Sequence, residues 1–285
     1  MISEVGHNTG WRKIADDVVV MSFPFRFFGI DFARNVTLLR LGDGRVVIHS
    51  TAPFEEKDLQ AIRTFGETAW LVDATLLHET FAKEGRAALP GLPYLAPNGF
   101  KEISGVATQP LDPPPSDWAG EIEMLRLDGT RKSEHVFFHR RSRTLVVADL
   151  FFSFPAETQG WARFFARRIM GLPPNLFGVS RFFRMLISDK QAFERSMRRM
   201  LEWDFERVVV AHREPLERGA KKAVESAFAP AVAGLRRARE WRIGGQRFEI
   251  ARQNRLTDRC RELAGQVGCR ASNRGGEKRS REPGT

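Results

Sequence analysis

The run Gly42-Asp43-Gly44, set between VTLLRL (residues 36–41) and RVVIHS (45–50), constrains the first half of the chain more than any other feature. Two β-branched runs joined through Asp-Gly fold back on each other as a hairpin, because such residues tolerate the left-handed backbone of a tight reversal. Residues 17–22 (DVVVMS) supply a strand ahead of it, so the chain opens as a β-meander. Pro53 then starts a helical run, FEEKDLQAIRTFG, in which Leu59, Ile62 and Phe65 recur near 3.6-residue spacing behind an acidic first turn.

Strands and helices alternate from there. TAWLVDATLLHETF predicts a buried strand followed by a loop carrying His78, and PGLPYLAP a short strand bounded by prolines. QPLDPPPSD (109–117) reads as an irregular surface loop, since proline lacks a donor and restricts the residue before it. Residues 121–127 (EIEMLRL), 134–139 (EHVFFH) and 143–150 (RTLVVADL) predict three strands of a second sheet. Residues 156–203 turn helical, with WARFFARRIM and RFFRMLISDKQAFERSMRRMLEW split by Gly171-Leu172-Pro173-Pro174. RVVVAH is the last strand, ending at His212, and a helix is expected from 217 to 228.

A chain of 285 residues fits one layered domain, read here as residues 1–235, followed by an arginine-rich extension over 236–285. Residues 231–285 hold 14 Lys and Arg against 6 Asp and Glu, so most of the net charge of +10 belongs to that extension and says little about a site on the fold. Past Gly265 apolar periodicity stops, and disorder is the expectation there. Both cysteines, Cys260 and Cys269, fall in the extension, where a bridge would not staple the core; a reducing cytoplasm fits this usage best. The N-terminus has no apolar segment behind a basic start, and no stretch approaches the ~18 apolar residues of a spanning helix, so no transmembrane segment is expected.

Of the six histidines, at 7, 49, 78, 135, 139 and 212, only His78 and His212 stand where strands hand over to loops and a site can be assembled. Asp149 ends a third strand, RTLVVAD, and is followed by apolar LFF, an odd place for a solvated carboxylate. His49, at the end of RVVIHS, reads as structural.

Three landmarks in order, VTLLRLGDGRVVIHST, TLVVADLFF and VVVAHRE, resemble the metallo-β-lactamase-like superfamily over roughly residues 15–230. The resemblance implies an αββα sandwich with a helical insertion over the cleft, and makes Asp149 the metal-bridging aspartate and His212 the last histidine ligand. The family's HxHxDH signature is cut back: ATLLHETF keeps only His78, in the place of the final histidine. A further family histidine, expected near Gly129-Thr130, is absent. The same reduced set, with the pair Pro97-Asn98, resembles the branch named domain of unknown function 4336.

A dinuclear centre needs roughly five or six protein ligands, which this chain does not supply. His78, Asp149 and His212 would hold one Zn²⁺ or Fe²⁺ with an open position, as in a hydrolase of a small ester, thioester or phosphoester. A non-catalytic binding protein that keeps the fold and has lost the metal is an equal reading of the same residues. A third partner class, an anionic membrane surface or nucleic acid, follows from the mixture of Phe and Arg over residues 161–187 and from the basic extension, although the same mixture suits a helical cover whose arginines reach outward.

Overall fold

The computed structural model describes residues 11–237. The arginine-rich extension from residue 238 onward, and His7, lie outside the described residues.

The opening meander forms as expected: Trp11–Ala15, Val18–Phe23, Arg34–Arg40 and Arg45–His49 pair in antiparallel succession. Glu67–Val72, Tyr94–Ala96 and the two-residue strand Gln109–Pro110 then extend the sheet in parallel, to seven strands. The second sheet holds Ile122–Arg126, His135–His139 and Thr144–Val146 in antiparallel order, with Arg207–Val209 added in parallel.

Alternation along the strands sorts side chains onto two faces of each sheet. Leu39, Val47, Trp70 and Val72 of the first sheet meet Ile122, Phe137, Val146 and Val209 of the second in a dry layer that also buries Trp118. Leu38, Val46, Ile48 and Leu71 point the other way, onto Ile62 and Phe65 of the helix Glu56–Phe65 and onto Phe100. Val136, Phe138, Leu145 and Val208 cover the far side of the second sheet against Phe193, Met197 and Met200 of the helix Lys190–Met200 and Val224 of the helix Ala220–Arg237. Helix, sheet, sheet and helix thus stack as an αββα sandwich.

Three local expectations are corrected. Within QPLDPPPSD, Gln109 and Pro110 pair with Leu95 and Ala96, because an edge strand asks no outward donor of proline, and Trp118 at the loop's end is buried against Trp70. The helix expected over 181–203 is two helices, Arg181–Leu186 and Lys190–Met200. Ile187 bridges to Thr130, and Asp189 restarts the helix by accepting from the backbone N–H groups of Gln191 and Ala192 at 2.9 and 3.0 Å. The final helix starts at Ala220 and runs to Arg237, nine residues past the expected end.

Two outcomes follow from this packing. Phe137 is fully buried between the sheets, with Trp118 at 5.9 Å and His49 at 5.0 Å between ring centroids. Phe137→Ala should cost about 3–5 kcal/mol in chemical denaturation; a loss below about 1 kcal/mol would contradict the inter-sheet assignment. His49 is held neutral, its pKa pushed down to about 3 by burial and then by the neighbouring His78. In the unfolded chain a histidine titrates near 6.5, so between those values the unfolded state takes the extra proton and stability present above pH 6.5 is lost as pH falls. Between pH 7 and 5 the wild type should lose about 2 kcal/mol more than His49→Gln, and matched pH profiles would count against a neutral buried imidazole.

Candidate metal centre

The parallel pair in the second sheet sets two of the candidate ligands level. Val146 and Val209 are in register, and Asp149 and His212 each lie three residues beyond. Asn35 stitches the opening sheet to this edge, donating from Nδ2 to the carbonyls of Val210 (2.9 Å) and Arg213 (2.7 Å). The loop after Glu67–Val72 is tied across by the backbone bonds His135 N–H to Ala74 O (2.8 Å) and Leu76 N–H to Lys132 O (3.0 Å), which bring His78 to the same edge. Three strand ends from two sheets therefore converge.

His78 Nε2 lies 3.3 Å from Asp149 Oδ2, and His212 Nε2 lies 3.3 Å from Asp149 Oδ1. One ligand atom from each residue falls within 4.8 Å of the others. The side chains are 2%, 11% and 7% exposed for His78, Asp149 and His212, so the group is nearly closed to solvent. Phe25 and Phe152 stack on the His212 ring at 5.7 and 5.6 Å, and Phe32 meets it edge-on at 6.0 Å. Phe165, from the π-helical turn Phe165–Ile169 of the insertion, packs on Phe32 at 6.0 Å, which brings the insertion over this edge.

The polar atoms fit a cation. His212 Nδ1–H donates to the carbonyl of Ala33 at 2.7 Å, a bond that leaves Nε2 without a proton in the neutral ring. Nε2 is the nitrogen that faces an oxygen of Asp149. Both ring nitrogens of His78 are buried without a hydrogen-bond partner. Burial, and next the charge of Arg34, push His78 down to about 4, so it is neutral near pH 7. For Asp149 burial favours the acid, but His78 and His212 outweigh it and hold the carboxylate well below its usual range. A neutral His78 beside an ionised Asp149 is the protonation state that binds metal.

Other residues here escaped sequence reasoning. Glu134, buried at the start of its strand, accepts from the backbone N–H groups of Ala148, Asp149 and Leu150 at 3.1, 3.1 and 3.0 Å and so fixes the turn that presents Asp149. Burial and the charge of Asp149 push its pKa up to about 8 against those three donors. Arg34 is fully buried between the rings of Phe25 and Phe81, donating to Ser50 Oγ at 3.2 Å. Burial lowers its pKa, while Asp73 and Asp149 are its nearest compensating charges. Asp73, six residues past the start of Glu67–Val72, accepts from Thr51 Oγ1 at 2.9 Å and from the Tyr94 hydroxyl, and burial raises it to about 6. A charged residue closing a buried apolar run was the available signal for Asp73. His139 is used structurally, contacting Ser142 Oγ at 2.7 Å and the Arg40 carbonyl at 3.1 Å, and His135 is buried with both ring nitrogens unpartnered.

No protein-family model matches the sequence, and no curated protein matches it. Solved structures do. The DIM-1 metallo-β-lactamase exposed to ceftazidime is 14% identical, with a TM-score of 0.52 over 78% of this chain and 96% of that one. A metallo-β-lactamase from Erythrobacter litoralis, with β-mercaptoethanol in its active site, is 15% identical, with a TM-score of 0.52 over 78% and 95%. At such identities the likeness speaks for the fold alone. The chain has the metallo-β-lactamase fold, with a buried His–Asp–His group at one edge able to hold a metal ion.

Proposed function

We propose that the protein is a mononuclear metal-dependent hydrolase of a small ester, thioester or phosphoester, with His78, Asp149 and His212 as its protein ligands. The supporting observation is the convergence of one ligand atom each from His78, Asp149 and His212 within 4.8 Å, with His212 Nδ1 occupied by Ala33 O so that Nε2 is the nitrogen turned to Asp149. Bound Zn²⁺ or Fe²⁺ supplies Lewis acidity toward a carbonyl or phosphoryl oxygen and lowers the pKa of water. The chain's own groups set the rest. Ala33 O fixes the His212 tautomer, Glu134 holds the Asp149 turn, and the phenylalanines exclude bulk water. Where the family signature has its first two histidines and its aspartate, this chain has Asp73, Thr75 and Leu77, and Asp73 is engaged by Thr51 and Tyr94. The buried cation of Arg34 balances Asp73 and Asp149. This reduced set is what supports placing the chain in the branch named domain of unknown function 4336, and its cysteine usage supports a cytoplasmic setting.

A second reading, a non-catalytic binding protein, draws on the near-complete closure of the three side chains. Catalysis at this edge requires Phe25, Phe32 or Phe152 to move aside for substrate, whereas a binding protein would not need that movement.

Full-length protein purified without chelator and reloaded with Zn²⁺ or Fe²⁺ should retain one equivalent and gain thermal stability from it. Asp149→Asn should abolish both effects. Metal content near zero after reloading sinks the metal assignment. Glu134→Gln should fold and weaken metal binding by about 10–100-fold, as loss of an outer-shell partner does; unchanged affinity would remove Glu134 from the positioning role. Against p-nitrophenyl esters, thioesters and phosphodiesters, metal-loaded protein that turns over none of them favours the binding protein.

A further inference from the structure

The helical insertion carries a second feature that the metal centre does not use. Six of the seven exposed large hydrophobic side chains among the described residues, Phe27, Phe28, Trp161, Phe164, Phe182 and Met185, lie on it or on the adjoining turn between Arg26–Phe27 and Ile30–Asp31. The five aromatic ones are contiguous. Trp161 Nε1–H donates to the Phe28 carbonyl at 3.0 Å and its ring stacks on Phe164 at 5.6 Å. Phe165 links the group, lying 5.8 Å from Phe28 and 6.4 Å from Phe182. Isolated exposed apolar residues need no explanation, but a joined aromatic face marks a contact surface.

Beside it is a cavity of about 320 Å³ lined by Arg167, Arg181, Arg184, Asn175 and Ser226, with no carboxylate on its wall. The helix Arg181–Leu186 contributes to both features: Phe182 and Met185 are exposed, and Arg181 and Arg184 line the cavity. Arg167 and Arg181 donate to the carbonyls of Leu172 and Arg168, and none of the three arginines forms an ion pair among the described residues. Burial and the charge of Arg181 lower the pKa of Arg184, so like charges lie together there, with no compensating carboxylate among the described residues. Arg181 is exposed and Arg167 and Arg184 are part-buried, so the three present a positive lining open to an anion from solvent.

We propose that this face docks on an anionic phospholipid surface, the aromatic side chains entering the headgroup region and the arginine-lined cavity receiving a lipid phosphate. Charge complementarity selects this occupant. The chain's own residues 231–285, with 14 basic and 6 acidic side chains, carry the same net sign as the cavity and offer it no net charge complementarity. Aromatic rings flanked by arginines suit an interface that is apolar on one side and anionic on the other. The proposal stands whether or not the metal centre is catalytic.

Cosedimentation of the full-length protein with phosphatidylcholine vesicles, with and without phosphatidylglycerol, tests it. Binding should require phosphatidylglycerol. It should fall about tenfold or more in Phe182→Ser/Met185→Ser and in Arg181→Gln/Arg184→Gln, with circular dichroism and thermal unfolding unchanged. If a double variant fails to fold, the single changes Phe182→Ser and Arg184→Gln carry the comparison. Vesicle binding as strong in these variants as in the wild type would assign the effect to the basic extension and overturn the proposal. So would full-length protein that binds inorganic phosphate in an Arg184-dependent way, or duplex DNA, and leaves the vesicles free.

Discussion

The dry layer between the two sheets is the constraint on which the rest depends. Phe137, Trp118, Trp70 and Val209 are buried there with no polar partner of their own kind to fix a register, so register comes from the ladders and from a few cross-sheet hydrogen bonds. Asn35, which donates to two carbonyls of the opposite sheet, is one of these ties, and the His135 to Ala74 backbone bond is another. With the sheets pinned, the ends of Glu67–Val72, Thr144–Val146 and Arg207–Val209 have one edge to share. The proximity of His78, Asp149 and His212 follows from that packing.

Burial then sets their chemistry. A solvated histidine would titrate near neutrality, but His78 is buried beside the cation of Arg34 and stays neutral well below that. Asp149, though buried, is held well below its usual range by His78 and His212, and Glu134 holds its backbone in place. The edge thus combines imidazole nitrogens with a carboxylate, and its other ionisable groups, Arg34, Asp73 and Glu134, are each placed against a partner. His78, Asp149 and His212 each turn a ligand atom toward the others, within 4.8 Å.

The sandwich was legible because its strands are β-branched runs closed by glycine and proline, and such signals are local. Asp149 and His212 were legible for the same reason, each ending a readable strand. The roles of Arg34 and Glu134 were hidden, since a charged residue at a strand's start is ordinarily solvated and only tertiary contact buries these two. The break at Ile187–Asp189 was hidden by continuous helical periodicity on either side of it, although Ser188-Asp189 carries a capping signal. Gln109 and Pro110 joined the first sheet against the reading of their prolines because they occupy its last, unpartnered edge. Closure of the metal edge by Phe25, Phe32 and Phe152 depends on residues more than a hundred positions apart, which no local pattern encodes.

The central claim is that these three side chains hold one metal ion. X-ray absorption at the zinc or iron edge of the loaded full-length protein tests it most directly. The account predicts a first shell of nitrogen and oxygen at about 2.0–2.2 Å with the outer-shell signature of two imidazoles. A shell dominated by sulfur near 2.3 Å, as Cys260 and Cys269 would give, or one without imidazole, would contradict it.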